Sequence, residues 1–311
     1  MKLDGARVLV TGANGFLGRH LCAALERRGA LVEQPAGWDL RDLRDVEITD
    51  GGRWGADVVF HLAARCGGIG ANQRQPATFI RDNLLMGAHV LEAARCGFAR
   101  KLVLVGTVCS YPKFTPTPFR EADLWNGYPE ETNAPYGVAK RALITMAQAF
   151  RTEYGCNFVS AIPANLYGPG DHFDLEASHV IPAMIRKFVE AKERGELEVT
   201  IWGDGTPTRE FLYVEDAAEG LLRVAEDYDA PEPINLGTGV ETSIAELATA
   251  IRLSIGSDAA IRWDATRPNG QPRRVLDVSR ARTLLGFEAT TPLPAGLTRT
   301  IDWYRANRSA T

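Results

Sequence analysis

Along the first 165 residues, short runs that are apolar at nearly every position alternate with longer segments whose apolar residues fall on one face. The runs are "RVLV" (7–10), "DVVF" (57–60), "KLVLV" (101–105) and "FVSAIPA" (158–164), and the segments between them span 16–29, 78–97 and 134–154. A uniformly apolar run suits a strand covered on both faces, and a helix-length connection makes the next strand parallel to the last. The expected fold is therefore α/β, a doubly wound parallel sheet. Beyond residue 165 the alternation loosens: "YGPGDHFDLEASHVIP" is rich in turn formers and charge, and helical patterns at 243–255 and 295–306 mix with short strands. This predicts a first domain over 1–165 and a smaller, less regular substrate-binding domain over 166–311, with a return to the main sheet near 213–239 through "EPINLGTG".

Composition removes several classes of function. With 311 residues, 45% hydrophobic and 24% charged, the chain is globular in type. A net charge of -4 offers no basic field for a phosphate backbone, so nucleic acid is not an expected partner. Five cysteines (Cys22, Cys66, Cys96, Cys109, Cys156), with no CxxC spacing, argue against a disulfide framework or zinc knuckle and for reduced thiols in a cytoplasmic protein. No run of 18 apolar residues predicts a membrane span, and the N-terminal apolar run is too short for a signal-peptide core.

Directly after the first apolar run, "VTGANGFLG" places Gly12, Gly15 and Gly18 at the mouth of the first helix. Such glycines permit a tight turn, a close approach of backbone to pyrophosphate and close helix-to-strand packing, with helix N-terminal amides facing the phosphates. The fold is thus Rossmann-type with a dinucleotide site at this turn, and Asn14, Phe16 and Leu17 join its candidate contacts. On the adenosine side, Asp39 and Leu40 in "WDLRD" and Leu62, Ala63 and Ala64 in "HLAA" are candidates, against the alternative that they are ordinary strand ends. An acid at the end of the second strand would select the 2'-hydroxyl of NAD and an arginine the 2'-phosphate of NADP. In "ALVEQPAG" Glu33 sits early and no arginine follows, so NAD and NADP both stay open.

"YGVAK" sets Tyr136 and Lys140 four apart, on one helix face. An adjacent ammonium is expected to bring the tyrosine pKa toward neutrality for acid–base work, with the Thr107 hydroxyl, at the end of the 101–105 strand, holding the substrate oxygen. Taken alone, such a pair is common on helix surfaces; the glycine turn, Thr107 and the pair together point to dinucleotide-dependent carbonyl chemistry.

The blocks "HLAARCGGIGAN", "GTVCSYPK", "EETNAPYGVAK", "NLYGPGDHFDLEASHVIPAMIRKF", "WGDGTPTREFLYVEDAAEG" and "RPNGQPRRVLDVSRA" resemble the extended short-chain dehydrogenase/reductase (NAD-dependent epimerase/dehydratase) family over nearly the whole chain. Within it they are most similar to the epimerase/reductases of GDP-4-keto-6-deoxy-hexoses. The resemblance implies Thr107, Tyr136 and Lys140 as the reductase set, Cys109 and His179 as the epimerising acid and base, and Pro163, Asn165 and Leu166 as further coenzyme contacts. It implies Asn165, Val180, Lys187, Trp202 and Arg209 for the nucleotide-sugar, with Arg273 and Arg274 as further candidates for its anion, and a homodimer through helices flanking the sheet. The chain departs from the family in that neither "GANGFLG" nor "QPAG" carries the arginines that hold the NADPH 2'-phosphate.

A ketone at C4 acidifies the hydrogens at C3 and C5, so an acid and a base on opposite faces can invert those centres before C4 is reduced. Local readings of the same residues stand beside this one. Cys109 suits a buried structural thiol, His179 a packed histidine, Lys187 a solvated helix charge and Trp202 a core anchor. Two rival functions also stand: an epimerase with tightly bound NAD and no net redox change, and a non-catalytic dinucleotide sensor. In "GDHFDLEASH", residues Asp171, His172, Asp174, Glu176 and His179 are all ligand types, but their spacing matches no zinc or calcium pattern and no metal is expected.

Overall fold

The computed structural model describes residues 1–35, 37–42, 55–97, 99–175, 178–267 and 269–308. In chain order the elements are β1 (Arg7–Thr11), α1 (Phe16–Arg27), β2 (Leu31–Glu33), β3 (Val58–His61), α2 (Ile69–Arg74), α3 (Pro76–Cys96), β4 (Lys101–Val105), α4 (Ala134–Tyr154) and β5 (Phe158–Pro163). There follow β6 (Asn165–Tyr167), α5 (Val180–Arg194), β7 (Glu198–Trp202), β8 (Thr208–Arg209), β9 (Phe211–Tyr213), α6 (Val214–Asp227) and β10 (Ile234–Leu236). The chain closes with β11 (Thr242–Ser243), α7 (Ile244–Ile255), β12 (Ala260–Asp264), α8 (Ser279–Leu285) and α9 (Leu293–Asn307).

Among the described residues, six parallel strands form the main sheet in the order β2–β1–β3–β4–β5–β10. Every residue of β3, β4 and β5 is buried, which is why those segments are apolar at successive positions rather than alternate ones. From β1 the chain passes to β2 on one side and then returns to β3 on the other. That reversal opens a crevice beyond the carboxyl ends of β1 and β3, where open α/β sheets bind ligands. The expected helix over 78–97 begins at Pro76, because proline at a first-turn position has no N–H to lose and a pre-set φ. The start of α7 is a capping box in which Ser243 Oγ accepts the Glu246 N–H at 3.1 Å and Glu246 Oε2 accepts the Ser243 N–H at 2.8 Å.

A second apolar cluster, with Phe173, Phe188, Leu247, Ile251 and Tyr304 at its centre, gathers α5, α7 and α9 around the short pairs β6–β9 and β7–β12. Within the later half of the chain, β10 pairs in parallel with β5, and α6 packs on α1. No helix among the described residues is long and apolar enough to cross a membrane.

The two clusters are joined by a buried carboxylate between β8 and β9. Glu210 Oε1 accepts the N–H groups of Thr238 (2.5 Å) and Gly239 (2.7 Å), and Oε2 accepts that of Leu276 (2.7 Å). Its own carbonyl accepts from Asn165 Nδ2 at 2.8 Å, and its N–H donates to the Arg274 carbonyl at 3.1 Å. Truncation would orphan three backbone donors in a dry site, each costing about 1–3 kcal/mol. We therefore expect Glu210→Ala to lose roughly 3–5 kcal/mol of stability in urea unfolding, whereas truncation of the exposed Glu131 should change little.

Candidate active site

The glycine turn has the geometry its sequence requires. Gly12 lies at φ +76°, and a Cβ there would sit 2.7 Å from the Ala63 nitrogen, so only glycine lets the turn nest against the end of β3. A Cβ on Gly18 would run into the Gly12 carbonyl, well inside contact distance, and come within 2.6 Å of that of Ala13. The helix mouth consequently stands open beside a cavity of about 370 Å³ lined by Gly12, Asn14, Gly15, Asp39, Leu40 and Ala63, together with Gln34, Trp38 and Met86. Phe16 and Leu17 form the first turn of α1 behind it, Leu17 packing into the main core. Leu62 and Ala63 continue from β3, tied to Thr11 by N–H donation to its carbonyl (3.1 Å) and hydroxyl (3.4 Å), and Ala64 follows half-buried. Asp39 is clamped by Arg41, whose Nη2 and Nε lie 2.6 and 2.8 Å from its two oxygens, and this holds its carboxyl down at about 2.

Further along the sheet edge, β4 ends in Gly106, and Thr107 then caps a single 3-10 turn, its Oγ1 accepting the Cys109 N–H at 3.2 Å. Helix α4 crosses this turn at Gly137, where a Cβ would collide with the Cys109 carbonyl. The close approach sets Tyr136 over the turn. Its hydroxyl shares a hydrogen bond with Cys66 Sγ at 3.3 Å, its ring meets Phe79 edge-on at 6.4 Å, and Thr107 is a further hydrogen-bond partner. Lys140 is buried one turn deeper and donates to the Val105 carbonyl at 3.0 Å. Next to it His61 shares a 2.8 Å hydrogen bond with the Thr11 hydroxyl, while burial and the Lys140 charge lower its pKa to about 3, keeping it neutral.

The electrostatics differ from the sequence expectation that Lys140 draws Tyr136 toward neutrality. Burial, followed by the Cys66 thiol, pushes the Tyr136 phenol well above its ordinary value, and burial also lowers Lys140. Tyr136 is thus a phenol with a proton to give. Cys66 has no marker in the sequence, since nothing local ties it to a residue 70 positions away.

Across the crevice, Arg274 Nη1 lies 3.5 Å from Cys109 Sγ. Its guanidinium is held by two donations to Gln271 Oε1, at 3.1 and 3.2 Å, and Gln271 donates to the Lys113 carbonyl at 2.8 Å. His179, the N-cap residue of α5, keeps surface open to the crevice; its crowded surroundings and the charges of Arg274 and His172 lower its pKa. Arg209 belongs to the same group: burial and the like charge of Arg274 bring it down to about 10. Thr107, Tyr136, Cys109, His179 and Arg209 are therefore linked by neighbouring contacts and charges, with Arg274 acting on both Cys109 and His179, while Lys140 lies buried one helical turn from Tyr136.

The other candidate residues are more scattered. Pro163 ends β5, Asn165 and Leu166 open β6, and Val180 begins α5 against the second core. Lys187 donates to the Thr200 carbonyl at 2.9 Å, and burial lowers its pKa. Trp202 is exposed rather than a core anchor, with the Arg267 guanidinium 5.0 Å over its ring. Arg273 points outward and pairs with Glu241 (Nε to Oε1, 3.0 Å), away from Arg274. Among the described residues no three His, Cys, Asp or Glu side chains converge as metal ligands; Glu176 lies outside the described residues.

Residues 8–237 match the NAD dependent epimerase/dehydratase family. The chain belongs to that family. It is 42% identical over 308 residues to a rice protein (Oryza sativa subsp. japonica) named "Probable GDP-L-fucose synthase 1", covering 97% of this chain and 93% of that one. It is 40% identical over 310 residues to GDP-L-fucose synthase of Sinorhizobium fredii, covering 98% and 97%. Among solved structures, a GDP-L-fucose synthetase from Naegleria fowleri bound to NADP superposes with a TM-score of 0.88 at 26% identity, over 99% of this chain and 96% of that one. The fold is the Rossmann-type α/β architecture expected, and the chain is a family enzyme using NAD(P).

Because the contacts at Gly18 are to backbone, Gly18→Ala should weaken NAD(P) binding by at least about tenfold and lower the melting temperature by several degrees, measured by calorimetry and thermal unfolding.

Proposed function

We propose that the enzyme epimerises C3 and C5 of a GDP-4-keto-6-deoxy-hexose and then reduces C4, the activity for which its GDP-L-fucose synthase relatives are named. The observation that carries this reading is the meeting, at one sheet edge, of a hydroxyl and phenol suited to a carbonyl oxygen with a thiol and an imidazole suited to its neighbouring carbons. In the proposed division of labour, residues 1–165 with the 213–239 return bind the coenzyme, and the rest of 166–311 mainly holds the nucleotide-sugar.

Gly12, Asn14 and Gly15 would hold the pyrophosphate, Leu40, Ala63 and Met86 the adenine, and Tyr136 and Lys140 the nicotinamide end; the open helix mouth and adjoining cavity fit such a group. When bound in reduced form, the nicotinamide supplies a hydride to C4. The remaining steps fall to side chains. Thr107 and Tyr136 hold the C4 oxygen and offset the charge that grows there as a C3 or C5 proton leaves. His179, its imidazolium disfavoured, is the base, and Cys109 returns a proton on the opposite face, inverting the centre. Tyr136, kept as a phenol by burial, then protonates the C4 oxygen as hydride arrives. Arg209 and Arg274 supply positive charge for the diphosphate and the enolate.

Incubation with GDP-4-keto-6-deoxy-mannose in heavy water, with NADH or NADPH, tests the reading through deuterium at C3 and C5 and coenzyme absorbance. Uptake with oxidation is expected; uptake without oxidation would leave an epimerase with no net redox, and neither would overturn the assignment. Tyr136→Phe should lose about 100-fold or more in C4 reduction and a smaller factor in exchange, where Thr107 still holds the C4 oxygen, and Cys109→Ser and His179→Gln should each depress exchange.

The pH dependence follows from the lowered His179 value. The free base persists below the ordinary 6.5, so exchange should hold as pH falls through 6.5 and decline only beneath it. A midpoint at or above 6.5 in the exchange profile would remove His179 as the base.

A further inference from the structure

We infer that the adenosine end of the crevice selects NAD(H) over NADP(H), and that Gln34 and Asp39 are the residues that set this choice. The inference rests on the coenzyme site proposed above and goes beyond it.

The two coenzymes differ by one phosphate on the adenosine ribose, which carries about -1.5 to -2 charges at neutral pH. A site that accepts this group supplies cations to it, commonly a forked guanidinium; a site for the free 2'-hydroxyl supplies a carboxylate or neutral polar groups. The cavity beside the glycine turn is lined, among the described residues, by a single charged side chain, and that is the carboxylate of Asp39. Its other polar walls are the neutral amides of Asn14 and Gln34.

Among the described residues, the cations near this end are committed elsewhere. Arg7 reaches across to the end of β2 and binds Glu33, with Nη2 and Nε at 2.8 and 3.2 Å from Oε1. Arg19, on the first helix, donates to the Asn14 carbonyl at 2.9 Å and to the Gly170 carbonyl at 2.8 Å, fastening the turn to the segment after β6. Arg41 is the fork that grips Asp39, and its free edge lies 3.5 Å from Asp82. Asp82 is buried and also receives Arg65 at 3.0 Å and Arg81 at 2.8 and 2.9 Å. Turning Arg41 toward a ribose phosphate would break its bidentate ion pair with Asp39 and bring the dianion up to that carboxylate. A neutral 2'-hydroxyl meets no such opposition and can donate to a carboxylate or a side-chain amide.

Equilibrium binding without any sugar tests this. The purified protein is titrated with NAD+, NADP+, 5'-AMP and 2',5'-ADP, followed by calorimetry and by tryptophan emission, since Trp38 lies in the cavity wall. NAD+ should bind at least about tenfold more tightly than NADP+, and 5'-AMP more tightly than 2',5'-ADP. Gln34→Arg, at an exposed position, should close most of that gap by strengthening NADP+ and 2',5'-ADP. Equal or tighter binding of NADP+ to the unaltered protein would overturn the selectivity while leaving the coenzyme site standing. Binding of none of the four would overturn both.

Discussion

Much of this molecule hangs on one buried carboxylate. Glu210 is surrounded by backbone donors, and the segments that supply them come from the exit of the last sheet strand and from the stretch that carries Arg274. A buried carboxylate without partners would be strongly disfavoured; three N–H bonds make it a fixed node instead. Because Asn165 and Arg274 also meet its backbone groups, the node sets the spacing between the sheet and the smaller cluster. Arg209, the adjacent residue, lies within charge range of Arg274 and Cys109 in the candidate active site. Burial raises the Glu210 pKa, and the hydrogen bonds that hold the segments partly offset that rise.

The chemistry of the crevice depends on close backbone approach as much as on side chains. Gly137 lets helix α4 lie on the turn of Thr107 and Cys109, and Gly12 lets the first turn nest on the end of β3. Each contact removes space that any Cβ would occupy. The result is a dry recess in which His61 and Tyr136 both remain neutral and Lys140 is spent partly on the Val105 carbonyl. A phenol that keeps its proton suits an acid acting on a developing alkoxide, whereas the sequence spacing alone suggests a phenolate paired with an ammonium. The difference is one of burial, which no count of residues between Tyr136 and Lys140 can report.

Opposite the phenol, positive charge accumulates on Arg209 and Arg274 beside a thiol, an imidazole and amides, with the Glu130 carboxylate also acting on Arg209. Like charges placed together in a partly dry cleft cost energy unless an anion joins them. A diphosphate-linked sugar brings such an anion, and an enolate adds a second. This arrangement makes substrate binding and proton transfer draw on the same pair of guanidinium groups.

Several features were decided by local sequence. Uniformly apolar runs separated by helix-length segments imply a parallel, doubly covered sheet, the glycine spacing implies a turn open to phosphates, and four-residue spacing puts Tyr136 and Lys140 on one face. All of these follow from repeats of backbone geometry over a few residues. What the tertiary structure decided lies at longer range: Cys66 on the Tyr136 hydroxyl, Arg274 beside a thiol 165 residues earlier, Arg41 gripping Asp39 at the coenzyme cavity, and Arg273 turned outward while its neighbour turns in. These depend on which elements the packed core brings together and on how dry it leaves them. Periodicity contains neither quantity, so the chain could announce the type of site while only its folding determined which charges and protons the site holds.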